Sequence, residues 1–400
     1  MKLSIIIISY NTKELLEQCL ESIVNSLGDG RGLKPATPTS SSGLASFSLR
    51  QKEERELKPA TPDQRGLKPA TAKKRGLSMS DIEIIIVDNN STDGSQEYLS
   101  KLKTHPPKLT TRLPGTIRTR LVERDWRVAK GKNSKKQTSS KSQTNSKFQT
   151  SSKLPIPNLK VILNKENAGF ARANNQGIKK SEGEYVLFLN PDTIVYPDTL
   201  NKTIEYLSKN KDVGLVTCRV ELADGSLQKE CHRGFPTPWR ALCHFSGLDR
   251  LFPNSKLFAG YFLGHLPKNT IHEIDACVGA FMMTKKEIGE KIGWWDEDFF
   301  WYGEDLDFAY RVKEAGLKVI FYPKVKITHY QGASSGIKKT KSRANKETKR
   351  KAMIASVEAM RIFYQKHYQN KYPKPISLLV MGGIALLEKI RLWSVERQFK

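Results

Sequence analysis

Two short runs of β-branched residues constrain this chain's fold more than any other feature. Residues 3–8 (Leu-Ser-Ile-Ile-Ile-Ile) and 82–87 (Ile-Glu-Ile-Ile-Ile-Val) are apolar almost without interruption. That is the pattern of strands buried on both faces of a sheet, not of strands with one wet side. A helix is predicted over 13–26, with apolar residues at 15, 16, 19, 20, 23, 24 and 27. A third strand is predicted over 161–163, a helix over 170–180, a fourth strand over 185–189 and a helix over 308–316. Strands alternating with helices imply a doubly wound α/β sheet, whose ligands lie beyond the carboxyl ends of the strands.

Charge divides the chain. The 400 residues carry 67 basic and 41 acidic side chains, net +26, a balance that ordinarily points to nucleic acid or an anionic membrane. Residues 28–80 hold 11 basic and 5 acidic groups, 101–157 hold 15 and 2, and 338–400 hold 16 and 4, which leaves the rest near −5. A heptapeptide recurs in the first stretch (Gly32 to Pro38, Glu56 to Pro62, Gly66 to Ala72), at uneven spacing and without a face to stack. The second is a Ser/Lys/Thr tract around Ser134 to Lys147 that buries too little to offset its ordering entropy. Both read as disordered insertions, and nucleic acid is not the expected partner. Cysteines 19, 218, 231, 243 and 277 form no C-x-x-C pair, which fits a reducing compartment. The start lacks a secretory leader pattern, so the cytoplasm is expected.

Short polar residues follow the strands: Ser9-Tyr10-Asn11, then Asp88-Asn89-Asn90-Ser91-Thr92-Asp93, then Asn190-Pro191-Asp192. Capping of the next helix is one reading of Asn90, Ser91 and Asp93. Asp88, directly at a strand end, is expected to face the crevice. Asp192, held at the rim by Pro191, suits a hard cation that takes its other ligands from phosphate and water.

In order along the chain stand Ser9-Tyr10-Asn11, Val87 to Gly94, Asn167-Ala168-Gly169-Phe170-Ala171 with Asn174-Asn175, Leu189-Asn190-Pro191-Asp192, Gly279-Ala280-Phe281 and Phe299 to Asp307. Together they resemble the family 2 glycosyltransferases of GT-A fold, most closely the bacterial rhamnosyltransferase-like branch. The resemblance implies a Rossmann-like, doubly wound mixed sheet and an inverting transfer from a nucleotide-diphosphate sugar, with Mn²⁺ or Mg²⁺ on the diphosphate. It places Ser9, Tyr10, Asn11, Asp88, Asn90, Asn167, Gly169, Asn190 and Asp192 around the nucleotide sugar. Asn190 stands where the family's D-x-D motif often has its first Asp. Asp305 of Glu304-Asp305 becomes the general base, because the acceptor hydroxyl needs a carboxylate in hydrogen-bond reach. An acidic first turn of a helix is the structural alternative for Glu304, Asp305 and Asp307.

The run from Ile327 to Ser334 resembles the family's H-x-x-G-x-S element, which makes His329 a candidate metal ligand with Asp192, or an ordinary surface histidine. Gly279, Ala280 and Trp295 are assigned to the acceptor side, with Trp294, Trp301 and Tyr302 flanking it; core packing is the alternative for these aromatics. His232, His244, His265 and His272 show no paired spacing and receive no role.

In the tail, a helix is predicted over 352–368. Residues 376–387 are apolar but fall short of the about 20 needed to span a bilayer. A helix lying on anionic lipid through Lys389, Arg391, Trp393 and Arg397, or one packed on the catalytic domain, are the two readings. The expected organisation is a catalytic domain over 1–27, 81–102 and 158–337, inserts over 28–80 and 103–157, and a basic helical tail over 338–400. The expected function is transfer of a sugar, possibly a rhamnosyl group, to a glycan or a polyprenyl-diphosphate-linked acceptor in surface polysaccharide assembly, at the inner face of the membrane. A glucosyl or galactosyl donor on the same fold is one alternative. A basic nucleic-acid- or membrane-binding protein with a degenerate transferase core is the other.

Overall fold

The computed structural model describes residues 1–27, 76–104, 109–110, 153–154, 156, 158–330 and 346–398. The heptapeptide copies, the Ser/Lys tract, Gly332 and Ser334 lie outside the described residues. Residues 29–76 separate as a unit of their own.

In the other unit, β1 (Leu3–Ser9) and α1 (Lys13–Ser26) are followed by β2 (Ile82–Asp88) and α2 (Ser95–Thr104). An antiparallel pair, β3 (Leu109–Thr110) and β4 (Lys153–Leu154), precedes β5 (Leu159–Leu163), α3 (Phe170–Ile178) and β6 (Tyr185–Leu189). The second half runs β7 (Thr193–Val195), α4 (Thr199–Lys209), β8 (Val213–Leu222), α5 (Pro238–Phe245), α6 (Leu248–Leu251), β9 (His272–Ile274) and β10 (Phe281–Lys285). It continues through α7 (Lys286–Ile292), α8 (Glu304–Glu314) and β11 (Lys318–His329). The tail is α9 (Lys346–His367) and α10 (Lys374–Gln398).

The main sheet has the order β5-β2-β1-β6-β10-β8-β11-β7, with β9 against β11. β5, β2, β1 and β6 are parallel, and β10 runs antiparallel to both β6 and β8. β1 and β2 are buried along their whole length, as their composition requires. They pair residue for residue, so Ser9 lies level with Asp88. Two sequence boundaries shift. Leu77 to Ser80, assigned by composition to the first insert, belong to the folded unit: Leu77 is buried and its N–H donates to Asn201 Oδ1 at 2.7 Å. Ile156, at the end of the second stretch, is buried as well.

α8 begins at Glu304, earlier than predicted, behind Gly303 at φ 85°. Asp307 in its first turn is fully buried, 2.5 Å from Arg311 Nη2 and 2.8 Å from His367 Nε2 of α9. Burial raises the Asp307 carboxyl, and His367 and Arg311 outweigh that and hold it below the usual carboxylate range. Val357, Ala359, Phe363 and Tyr364 bury the rest of that α9 face. α9 is therefore part of the unit that carries the main sheet. α10 continues unbroken through Gly382-Gly383 and packs on α9 through Arg361–Glu388 (3.2 Å) and Arg391–Ser356 Oγ (2.8 Å). Among the described residues no helix is long and apolar enough to cross a membrane.

Glu83 ties three strands at the sheet's amino end. Its buried carboxylate accepts from Ser4 Oγ (2.5 Å) and the Glu182 N–H (2.5 Å) and pairs with Lys160 Nζ (2.8 Å). Burial raises this carboxyl, but Lys160, Ser4 and the Glu182 amide together bring it below its ordinary 4.5. A depressed carboxylate stabilises the fold above its unfolded value and loses that contribution as pH falls through the lower folded one. Glu83→Gln should therefore cost about 1–3 kcal/mol at pH 7, and its stability curve should converge on wild type below pH 4.5. Urea unfolding followed by circular dichroism across pH 3–7 checks this; parallel curves would exclude it.

Candidate functional site

Beyond the carboxyl ends of β1, β2 and β6 lies a cavity of about 430 Å³. Tyr10, Asn167, Gly169, Asn190, Asp192, Gly279, Glu304, Asp305 and His329 all line it, so nine residues assigned from the sequence are brought together.

Six others are not on its wall, for physical reasons. Asp88 is fully buried and its carboxylate accepts from the Ser91 N–H (2.9 Å) and Ser91 Oγ (2.6 Å); it shapes the turn after β2 and does not face the crevice. Ser9 is buried with Oγ 3.3 Å from Thr12 Oγ1. Asn11 accepts from the Thr92 N–H at 2.7 Å and clamps two strand-end loops. Asn90 is exposed at φ 67°, a left-handed turn position that Asn tolerates. Ala280 is buried in the strand connection, where its carbonyl accepts the Asn190 N–H. Trp295, 2% exposed, packs among Phe188, Phe308 and Phe170 and belongs to the core. Trp301 and Tyr302 do line the cavity, with their rings stacked.

Residues without a sequence assignment complete the site. Asn89, not Asp88, is the residue after β2 that reaches the cavity. Its amide donates to Asn167 Oδ1 (2.8 Å) and Gly169 O (3.2 Å) and accepts from the Ala168 N–H (3.0 Å), fixing the loop of residues 167–169. Arg233, from the turn before α5, sits 2.8 Å from Asp305 Oδ1. Burial works against its charge, and the Asp305 carboxylate more than offsets that. The Gly279 N–H donates to Asp305 Oδ2 at 3.1 Å, and the Leu306 N–H to Oδ1 at 2.7 Å. Asp305 is thus a carboxylate held rigidly by a cation and two amides. Nothing near Arg233 in sequence marks it; only the return of the chain beside α8 does.

Glu304 is different. It is 8% exposed, Oε2 has no hydrogen-bond partner, and burial, followed by the neighbouring Asp305 charge, pushes it up to about 8. At pH 7 it is a neutral acid able to donate a hydrogen bond into the cavity.

Asp192 Oδ1 and His329 Nε2 are 3.1 Å apart, and Asn190 Nδ2 is 3.3 Å from the same ring nitrogen. His329 Nδ1 lies 2.7 Å from Gln228 Oε1; the tautomer with its proton on Nδ1 leaves a lone pair on Nε2. A carboxylate oxygen and an imidazole lone pair at this separation fit a shared cation. Among the described residues no group of three or more His, Cys, Asp or Glu side chains forms a cage, so its other ligands would come from elsewhere.

His232 and His272, given no role from sequence, meet in the fold with Nε2 atoms 2.6 Å apart, and Lys268 Nζ is 2.7 Å from His232 Nδ1. Burial, with Lys268 next, brings His232 down to about 3, so this pair stays neutral and packs against Phe321.

Two outcomes are expected. A Cβ on Gly169, at φ 83°, would stand 2.9 Å from the Phe300 carbonyl oxygen; Gly169→Ala should lower stability by about 2 kcal/mol, read by thermal unfolding, and an unchanged melting temperature would exclude the clash. Activity of the wild type should fall above pH 8 as Glu304 ionises, and Glu304→Gln should remove that alkaline limb while retaining turnover at pH 7. A limb persisting in the variant would assign it to another group.

The family model described as Glycosyl transferase family 2 matches residues 139–293. Rhamnosyltransferase WbbL of Escherichia coli (strain K12) is 26% identical over 176 residues, which cover 40% of this chain and 61% of that protein. The N-acetylglucosaminyl-diphospho-decaprenol L-rhamnosyltransferase of Mycobacterium tuberculosis (strain CDC 1551 / Oshkosh) is 21% identical over 253 residues, 60% of this chain and 78% of that one. The solved mannosyltransferase PcManGT from Pyrobaculum calidifontis, in complex with GDP-Man and Mn²⁺, superimposes with a TM-score of 0.44 at 15% identity, covering 99% of this chain and 73% of that one. Residues 139–293 thus match the family 2 glycosyltransferase model, and the chain, whose mixed α/β sheet carries a cavity at its strand ends, is similar to rhamnosyltransferases.

Proposed function

We propose that this chain transfers a sugar, a rhamnosyl group in the first instance, from a nucleotide-diphosphate donor to an acceptor hydroxyl with inversion at the anomeric carbon. The observation that carries the reading is that one cavity holds both the Asp192–His329 pair and the Glu304–Asp305 pair. Asp192 and His329 would hold a divalent cation, and such a cation would neutralise charge gathering on the leaving diphosphate. Asn89 and Asn167 hold the Gly169 loop on the donor side. Asp305 accepts the proton of the acceptor hydroxyl as its oxygen bonds to the anomeric carbon and the bond to diphosphate breaks. Arg233 and the Gly279 N–H orient that carboxylate, which still has an acceptor site free. Neutral Glu304 donates a hydrogen bond to a sugar oxygen. The name of the Mycobacterium tuberculosis relative, with its diphospho-decaprenol acceptor, supports a lipid-linked acceptor; the proposed setting is surface polysaccharide assembly at the inner face of the membrane.

Purified protein is screened against nucleotide-diphosphate sugars, with and without a chelator, by nucleotide release. Release from a deoxythymidine-diphosphate rhamnose donor, abolished by chelator and restored by Mn²⁺, is expected. Asp192→Ala and Asp305→Asn should each lower kcat at least about a hundredfold, with thermal stability retained. Chelator-resistant turnover would remove the cation from Asp192 and His329, and wild-type turnover of Asp305→Asn would assign the base elsewhere.

A further inference from the structure

The residues from Phe300 to Asp305 are consecutive and all line the cavity, so one short stretch of chain builds a whole wall. Its backbone is strained. Tyr302 at φ 77° and Gly303 at φ 85° are both left-handed, and a tyrosine persists there only where its surroundings over-determine the turn. The tip of the stretch is tied to α3, whose first residue, Phe170, donates its N–H to the Phe300 carbonyl at 3.1 Å.

Alternate residues leading into this wall are gripped from two sides. Asn175 of α3 donates through Nδ2 to the Trp295 carbonyl (2.9 Å) and accepts the Trp295 N–H (3.2 Å), and Arg172 of α3 pairs with Glu297 at 3.0 Å. Asp296 and Asp298 are taken by α9 instead. Lys366 Nζ lies 2.5 Å from Asp296 Oδ2, 2.6 Å from Asp298 Oδ2 and 5.9 Å from the Phe299 ring centroid. The next residue of the same helix, His367, meets Asp307 at 2.8 Å beyond the other end of the wall. Between these two grips α9 approaches the strained turn itself, where a Cβ on Gly303 would stand 3.0 Å from Ala359 Cβ. Lys366 and its two partners are all partly exposed, and such pairs contribute little to global stability. A cation shared by two carboxylates of one loop does fix that loop's geometry.

We propose that Lys366 and His367 are positioning residues: one dipeptide of α9 braces the stretch from Asp296 to Asp307 at both ends, so that Trp301, Tyr302 and the Asp305 carboxylate present one fixed surface to the acceptor. Its effect on the acceptor rests on the transferase reading, whereas the bracing of the wall does not.

Lys366→Met with His367→Leu removes both grips and leaves Asp307 paired with Arg311. In the full chain, amide hydrogen exchange read by mass spectrometry should quicken at least about tenfold over 296–307 and stay unchanged in β1, β2 and β6. The kcat/KM for an N-acetylglucosaminyl-diphospho-prenol acceptor should fall at least about tenfold, while the dissociation constant of deoxythymidine diphosphate, by calorimetry, shifts less than about twofold. Lys366→Arg with His367→Gln keeps a cation and a hydrogen-bonding group in place and should return both measures to within about threefold of wild type. Asp296→Asn with Asp298→Asn breaks the Lys366 grip from the loop side, and should also quicken exchange there if the α9 variant fails to fold. Unchanged exchange over the stretch would overturn the bracing. Faster exchange spread through the strands, or acceptor and nucleotide constants worsening together, would make the two residues merely structural and overturn the positioning role. Faster exchange confined to the stretch, in a chain whose wild type releases no nucleotide from any donor, would remove the transferase reading and leave the bracing standing.

Discussion

The residue-for-residue pairing of β1 with β2 is the constraint on which the site depends. Both strands are buried on both faces, so their backbone groups are satisfied only within the sheet, and a slip by one residue would leave polar side chains such as Ser4 and Glu83 among apolar neighbours. With that register held, the chain leaves β1, β2 and β6 at one level. The turns that follow must use residues with short polar side chains, several of them at left-handed backbone angles. The cavity is the space those turns enclose.

The second wall is set by a different interaction. α8 enters the crevice with three carboxylates in its first turn, an arrangement the helix dipole favours but whose mutual repulsion must be relieved. Each is handled differently. Asp307 is neutralised by Arg311 and His367, Asp305 by Arg233, and Glu304 keeps its proton. Three carboxyl groups of one helical turn therefore become an anchor for the tail, a carboxylate oriented by a cation and two amides, and a buried carboxyl raised above its ordinary value. Because His367 belongs to α9, the tail helix supports the wall of the cavity.

Much of the cavity wall was legible in the sequence because strand-end turns are local: Asn190-Pro191-Asp192 and Asn167-Ala168-Gly169 announce themselves by short-range geometry. Which of the assigned residues stay off the cavity wall is decided just as locally. Asp88 and Asn89 are neighbours that leave the strand in opposite directions, and only the turn closed by Ser91 decides that Asn89 enters the cavity. Trp295 carries the same aromatic signal as Trp301, but packing against Phe188 takes one into the core and leaves the other on the wall.

By itself the sequence determined the parallel half of the sheet, the level of its polar turns, the carboxylates of Asp192 and Glu304-Asp305, and the division between a basic periphery and a mildly acidic remainder. These follow from hydrophobic period and turn chemistry, which act over a few residues. Tertiary structure alone decided the upward shift of the Glu304 carboxyl and the pairing of Arg233 with Asp305. Each of those depends on burial or on contact between residues tens to hundreds of positions apart, and desolvation and ion pairing in a closed cavity have no signature in a local pattern of side chains.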